Sequence, residues 1–144
     1  MAPPYHLYVD VDSAAKTFVA TWACDPATAL KASTFDQTDA GFAAFQQQLA
    51  ATGVAPSATL VVLEATGSSW IALAVALHQG HYVISVRNPG QVAQYARSLP
   101  RRAKTDALDA QVLIRFAAEC QPTPWSPPEP LYHELRQRLV ARFR

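Results

Sequence analysis

The run Thr59-Leu60-Val61-Val62-Leu63, apolar at nearly every position and closed by Glu64, constrains the fold more than any other segment of the chain. A strand with no polar face suits the interior of a sheet covered on both sides, the arrangement of layered α/β proteins. Gly53 and Pro56 stand before it and Ala65-Thr66-Gly67 after it, so turn residues bound it at each end. An acid at the end of such a strand lies beside a buried core and calls for a partner.

The neighbouring segments supply the rest of the pattern. His6–Val11 predicts a strand in which Leu7, Val9 and Val11 alternate with Tyr8 and Asp10, and Asp12 follows at its end. Thr17–Trp22 predicts a second strand after the small residues Ser13-Ala14-Ala15, and Ala29–Phe35 a third, which together read as an antiparallel meander. Thr38 or Asp39 caps a helix with Phe42, Phe45 and Leu49 on one face. After the central strand, Ser68 or Ser69 starts a helix carrying Trp70, Leu73 and Leu77. Gly80 ends it, and Tyr82–Val86 predicts a strand parallel to Thr59–Leu63.

Beyond this point the character of the chain changes. Asn88-Pro89-Gly90 opens a helix to about Ser98, Pro100-Arg101-Arg102-Ala103-Lys104 is a basic loop, and Thr105 caps a helix to about Cys120. Pro122, Pro124, Pro127, Pro128 and Pro130 predict an extended linker with no packing of its own. Leu131–Arg144 is helical in pattern, and its Leu135–Leu139 stripe needs a continuation or a partner helix to cover it. The expected organisation is a domain over 5–121, a proline-rich linker over 122–130 and the beginning of a coiled-coil helix over 131–144.

With 144 residues and 50% hydrophobic content the chain can bury a substantial core as one domain. No apolar run approaches the roughly 20 residues of a membrane helix. Met1-Ala2-Pro3-Pro4 lacks the basic and apolar regions of a signal peptide, so a cytoplasmic location with no membrane partner is expected. Cys24 and Cys120 provide neither a disulfide framework nor a four-ligand zinc site, and His6, His78, His81 and His133 show no repeated ligand spacing. The formal net charge of +1 conceals a division: residues 1–80 hold two lysines against six acids, a net −4, and residues 81–144 hold ten basic residues against five acids, a net +5. The second part has the balance of a surface that faces a polyanion.

The order β-β-β-α-β-α-β-α corresponds to a ribonuclease-H-like fold, a mixed five-stranded sheet flanked by helices, here followed by a C-terminal helix. In that sheet the first and fourth strands are central, so Asp12 and Glu64 face each other. Asp106 and Asp109, spaced i, i+3 in the first turn of a helix, share a face; they either join the strand-end acids or simply offset the positive end of the helix dipole. Carboxylates drawn together repel and titrate as a coupled group unless a cation neutralises them, and Mg²⁺ prefers such oxygen ligands. Alternation puts Asp10 on the same face as Asp12, as a further ligand, a supporting acid or a solvent-facing residue. Lys16, Arg101, Arg102 and Lys104 flank the acids and are candidates for phosphate contact, with solvated surface charge as the alternative.

Four elements in order, Tyr8-Val9-Asp10-Val11-Asp12-Ser13-Ala14-Ala15-Lys16, Glu64-Ala65-Thr66-Gly67, Asn88-Pro89 and Lys104-Thr105-Asp106-Ala107-Leu108-Asp109-Ala110, together resemble the DEDD transposases of the insertion-sequence one-ten family, which includes the Piv-type invertases and the bridge-RNA-guided recombinases. The resemblance covers most of residues 5–120. It implies a RuvC-like catalytic domain in which Asp12, Glu64, Asp106 and Asp109 bind Mg²⁺ or Mn²⁺ and act in DNA cleavage and strand exchange, with a structured guide RNA. Where the family usually has glycine two positions before its first aspartate, this chain has Asp10, which raises the local charge. The resemblance also implies homo-oligomer formation through the C-terminal helix and a further domain supplying a nucleophilic serine. The chain therefore reads as a truncated member, inactive or weakly nucleolytic by itself. A reading from a different class is a non-catalytic RNA-binding and assembly module, and a stand-alone junction resolvase is a third.

Overall fold

Alternation of β-branched and aromatic residues with smaller or polar ones produces five strands. They are β1 (Leu7–Ser13), β2 (Thr17–Ala23), β3 (Lys31–Asp36), β4 (Thr59–Glu64) and β5 (Val83–Arg87). The computed structural model describes residues 5–24, 31–65, 67–87 and 124–127. The expected helices over 88–98, 105–120 and 131–144 and the basic loop before Thr105 lie outside the described residues.

The strands form one mixed sheet in the order β3-β2-β1-β4-β5. β1 pairs antiparallel with β2 and β2 with β3, which is the expected meander, while β1–β4 and β4–β5 are parallel. The α/β class and the mixed five-stranded sheet of the sequence reading are therefore observed. Every strand differs from its expected bounds by one or two residues at one end or both. β1 runs on to Ser13 because the hairpin ladder continues through Asp12↔Val19 and Ser13↔Phe18, so Asp12 lies within the strand and not past its end. β3 begins at Lys31, and β5 includes Arg87 because Glu64↔Arg87 extends its ladder with β4.

Helices α1 (Asp39–Ala50) and α2 (Ser69–Gln79) cover one face of the sheet. Thr38 caps α1, its hydroxyl accepting the Gly41 N–H at 3.0 Å. Phe42, Phe45 and Leu49 are the buried residues of α1, the face predicted by their spacing. On the sheet side, Leu7, Val9 and Val11 of β1 and Phe18, Ala20 and Trp22 of β2 meet them. Phe18 is the hub of an aromatic cluster, stacked on Phe35 at 5.4 Å and edge-on to Phe45 at 5.3 Å between ring centroids. Pairs of this kind contribute about 0.5–1.5 kcal/mol beyond their burial. The opposite face carries a second cluster of Tyr8, Ala23, Leu60 and Val62. Both faces of β4 are thus apolar, as its uninterrupted hydrophobic run requires.

The proline-rich stretch corrects one expectation. Residues 124–127 form neither helix nor strand, and Trp125 is packed against the core. Its N–H donates to the Ile84 carbonyl at 2.6 Å, and its indole meets Trp70 edge-on at 6.0 Å and His78 at 6.3 Å. Prolines cannot donate hydrogen bonds, so Trp125 brings both a donor and a large apolar ring to a segment otherwise poor in each. It meets β5, an edge strand whose unpaired groups benefit from cover. Among the described residues no helix is long and apolar enough to cross a membrane.

Two predictions follow from this packing. A Cβ at Gly41 would fall on the Asp36 carbonyl, so glycine lets the start of α1 lie directly against the end of β3. Gly41→Ala, normally favourable inside a helix, is expected to lower unfolding free energy by roughly 1–3 kcal/mol in urea titration. Burial raises the Tyr82 phenol above its ordinary 10.0. The unfolded chain then releases that proton first, so stability falls as pH rises past the unfolded value. Replacing Tyr82 with Phe should flatten the alkaline limb of a stability-versus-pH curve.

Candidate metal centre at the strand ends

The register of β1 against β4 determines which acids meet. The paired residues are Leu7↔Thr59, Tyr8↔Leu60, Val9↔Val61, Asp10↔Val62 and Val11↔Leu63, and one further step sets Asp12 beside Glu64. Neighbouring strands lie about 4.8 Å apart, so two side chains on the same face at adjacent positions can share a cation. Tyr8, Leu60 and Val62 belong to the cluster on the face opposite α1 and α2, and alternation assigns Asp12 and Glu64 to that same face. Asp12 is exposed and Glu64 half-buried at the edge of this layer.

Asp10 stands one step further in on the same face. It is 7% exposed, which removes the solvent-facing alternative, and it does not lack an interaction partner. Its cross-strand neighbours are Thr21 on β2 and Val62 on β4. A buried acid in this position raises the negative charge under Asp12.

Lys16 is exposed in the turn between β1 and β2, near the end of β1 that carries Asp12. The Ala14 N–H donates to the Thr17 carbonyl at 2.9 Å and closes that turn. Beyond β4, the Ala65 N–H bonds the Arg87 carbonyl at 2.8 Å, and Gly67 takes a φ of 65° before α2 begins. Ser68 occupies the cap position of α2 without a side-chain capping bond, while the Trp70 indole N–H donates back to the Gly67 carbonyl at 3.1 Å. Asp106, Asp109, Arg101, Arg102 and Lys104 lie outside the described residues.

Two residues near the strand ends were not anticipated from sequence. Arg87 is paired with Glu64 in the β4–β5 register and so belongs to the same row as Asp12 and Glu64. The only local signal was a basic residue at the end of a strand that follows a helix. Gln37, just after β3, is 2% exposed, and its side chain donates to the Ala14 carbonyl at 3.1 Å and the Ser69 carbonyl at 3.2 Å. Nothing in the local pattern marks one glutamine as buried.

The donor set suits a hard divalent cation, since both strand-end groups offer carboxylate oxygen; their outer register neighbours are Val19 beside Asp12 and Arg87 beside Glu64, and a protonated guanidinium has no lone pair to give a metal. Among the described residues no group of three His, Cys, Asp or Glu side chains converges; Asp12 and Glu64 are the acids that follow the last β1–β4 pair, Val11↔Leu63.

Comparison with known proteins places the chain beside recombination enzymes. A family model of DEDD type from the IS110 insertion sequences, described as Transposase, matches residues 9–144. The chain is 32% identical over 120 residues to the pilin gene-inverting protein of Moraxella bovis, covering 83% of this chain and 37% of that protein. It is likewise 32% identical over 126 residues to the pilin gene-inverting protein of Moraxella lacunata, with 83% and 37% covered. The chain thus spans little more than a third of the length of these relatives.

The tight link between β4 and α2 has a measurable signature. Gly67 has open space where a Cβ would go, so an alanine there is penalised by its left-handed backbone alone. Gly67→Ala is expected to cost about 1–2 kcal/mol in chemical denaturation, with the sheet intact by circular dichroism.

Proposed function

Because the chain belongs to the DEDD transposases of the insertion-sequence one-ten (IS110) family, we propose that it is the N-terminal catalytic domain of a DNA transposase or invertase, with Asp12, Glu64, Asp106 and Asp109 as its metal-binding carboxylates. The observation that carries this reading is the juxtaposition of Asp12 and Glu64 at the ends of adjacent parallel strands. Asp106 and Asp109 complete the site with two more oxygen donors.

The residues divide the work. Asp12 and Glu64 hold a divalent cation, Mg²⁺ or Mn²⁺, from two strands whose spacing is set by the sheet. Lys16, Arg101, Arg102 and Lys104 bind phosphates of the nucleic acid and orient the scissile strand over the acids. Bound cations in such a site polarise the phosphate and stabilise the departing oxygen. The attacking serine implied by the family resemblance belongs to a separate domain, and residues 1–144 contribute the carboxylates and phosphate contacts to DNA cleavage and strand exchange. A structured RNA serves as guide, held by the basic second part of the chain, and the oligomer forms through the 131–144 helix. Action on intracellular DNA places the protein in the cytoplasm.

A second reading is favoured by the charge division, with a net +5 over residues 81–144: the chain is an RNA-binding and assembly module whose acids are idle. Calorimetric titration of Mn²⁺ separates the two. Wild type should bind, Asp12→Ala and Glu64→Ala should each weaken binding at least tenfold, and an Asp106→Ala, Asp109→Ala double variant should do the same. Absence of Mn²⁺ binding by wild type, alongside retained RNA binding in all variants, would establish the module and remove the catalytic reading.

A further inference from the structure

We infer that Gln37 is a positioning residue for the carboxylate site: its side-chain amide clamps the turn after Asp12 to the helix start after Glu64, and thereby sets the gap a shared cation must span. This rests on the metal-binding reading of Asp12 and Glu64 given above. The β1–β4 ladder ends at Val11↔Leu63, one residue short of the two acids. Past that point β1 and β4 stay paired with β2 and β5 but no longer with each other, so the loops that leave them add to what fixes their separation.

Gln37 joins those loops directly. Its Nε2 donates to the Ala14 carbonyl, in the turn two residues past Asp12, and to the Ser69 carbonyl, in the first turn of α2. Its own backbone N–H donates to the Lys16 carbonyl at 2.9 Å, on the other side of the same turn. One residue therefore fastens three segments: the β1–β2 turn at two points, the end of β3, and the start of α2.

The chemistry requires an amide. Two carbonyl oxygens face the group, so it must present two donors; a carboxylate would set its oxygens against them, and a hydroxyl has one proton to give. Burial of a polar side chain at 2% exposure is costly unless its hydrogen bonds are made, and among the described residues Gln37 Oε1 has no hydrogen-bond partner. The residue retains this cost while making both donor bonds, which places its value in the clamp. Lys16, a proposed phosphate contact, is held by the same residue, so the clamp positions cation and phosphate ligands together.

The test uses the 144-residue chain and Mn²⁺ alone, titrated by calorimetry at a temperature where every variant is folded. Gln37→Met preserves length and removes both donors. It should weaken Mn²⁺ binding about tenfold, the effect typical of residues that orient metal ligands. Leu49→Ala, a core change on α1 that lowers stability away from these loops, should bind Mn²⁺ as wild type does, which separates positioning from general loosening. Gln37→Asn keeps the amide but reaches fewer carbonyls, should lie between Met and wild type, and serves where Gln37→Met does not fold. Binding within twofold of wild type by Gln37→Met, or by Gln37→Asn if that alone folds, overturns the clamp while leaving the metal site standing. Equal weakening by Leu49→Ala also overturns it. Failure of wild type itself to bind Mn²⁺ removes the metal site and the clamp with it.

Discussion

The parallel pairing of β1 with β4 is the interaction on which the rest of the molecule depends. Both strands are central, and each is covered by apolar side chains on its two faces. Burial on both sides fixes the register strongly, because a slip of one residue would turn every side chain of a strand to the opposite face. A slipped β1 would present Leu7, Val9 and Val11 to the layer now holding Tyr8 and Asp10, and would send Asp10 into the aromatic cluster around Phe18. The energy that forbids this comes from the core, yet its chemical result appears at the end of the strands, where two carboxylates are brought to adjacent positions. Stability and site geometry are thus products of the same set of contacts.

Much of this was legible in the chain, for reasons that differ from residue to residue. The strands could be read because Leu7, Val9 and Val11 alternate and because Leu60–Leu63 has no polar face. Helix α1 could be read because Phe42, Phe45 and Leu49 recur with helical spacing beside a threonine cap. The neighbourhood of Asp12 and Glu64 was reached only through topology, since no local pattern relates residues fifty positions apart. The extent of β1 was misjudged at Asp12 because pairing with Val19 and Phe18 carries the strand onward, and hairpin pairing is a property of two segments together. Gln37, Arg87 and Trp125 were silent for the same reason: each acts through a partner distant in sequence.

The face opposite α1 and α2 has a graded polarity. At one end Tyr8, Ala23 and Leu60 share an apolar row, and in the next row the buried polar residues Thr21, Asp10 and Ser85 stand around Val62. Asp12, Glu64 and Arg87 follow at the rim. Such a gradient anchors the sheet at its apolar end and concentrates charge at its solvent-facing rim. Arg87 next to Glu64 moderates that charge, since a guanidinium within the same row offsets part of the repulsion between neighbouring carboxylates.

The hydrogen bond from Trp125 to Ile84 has a consequence for the edge of the sheet. Residue 87 ends β5, and residue 125 is fastened back onto the same strand. Two positions far apart in sequence are therefore held on one edge of the sheet. The entropy lost in bringing distant residues together grows only logarithmically with the length between them, and the contacts of the Trp125 indole with Trp70 and His78 offset it. Trp125 thus acts as a buckle on the β5 edge, one residue closing the sheet's flank through a main-chain bond and an aromatic contact together.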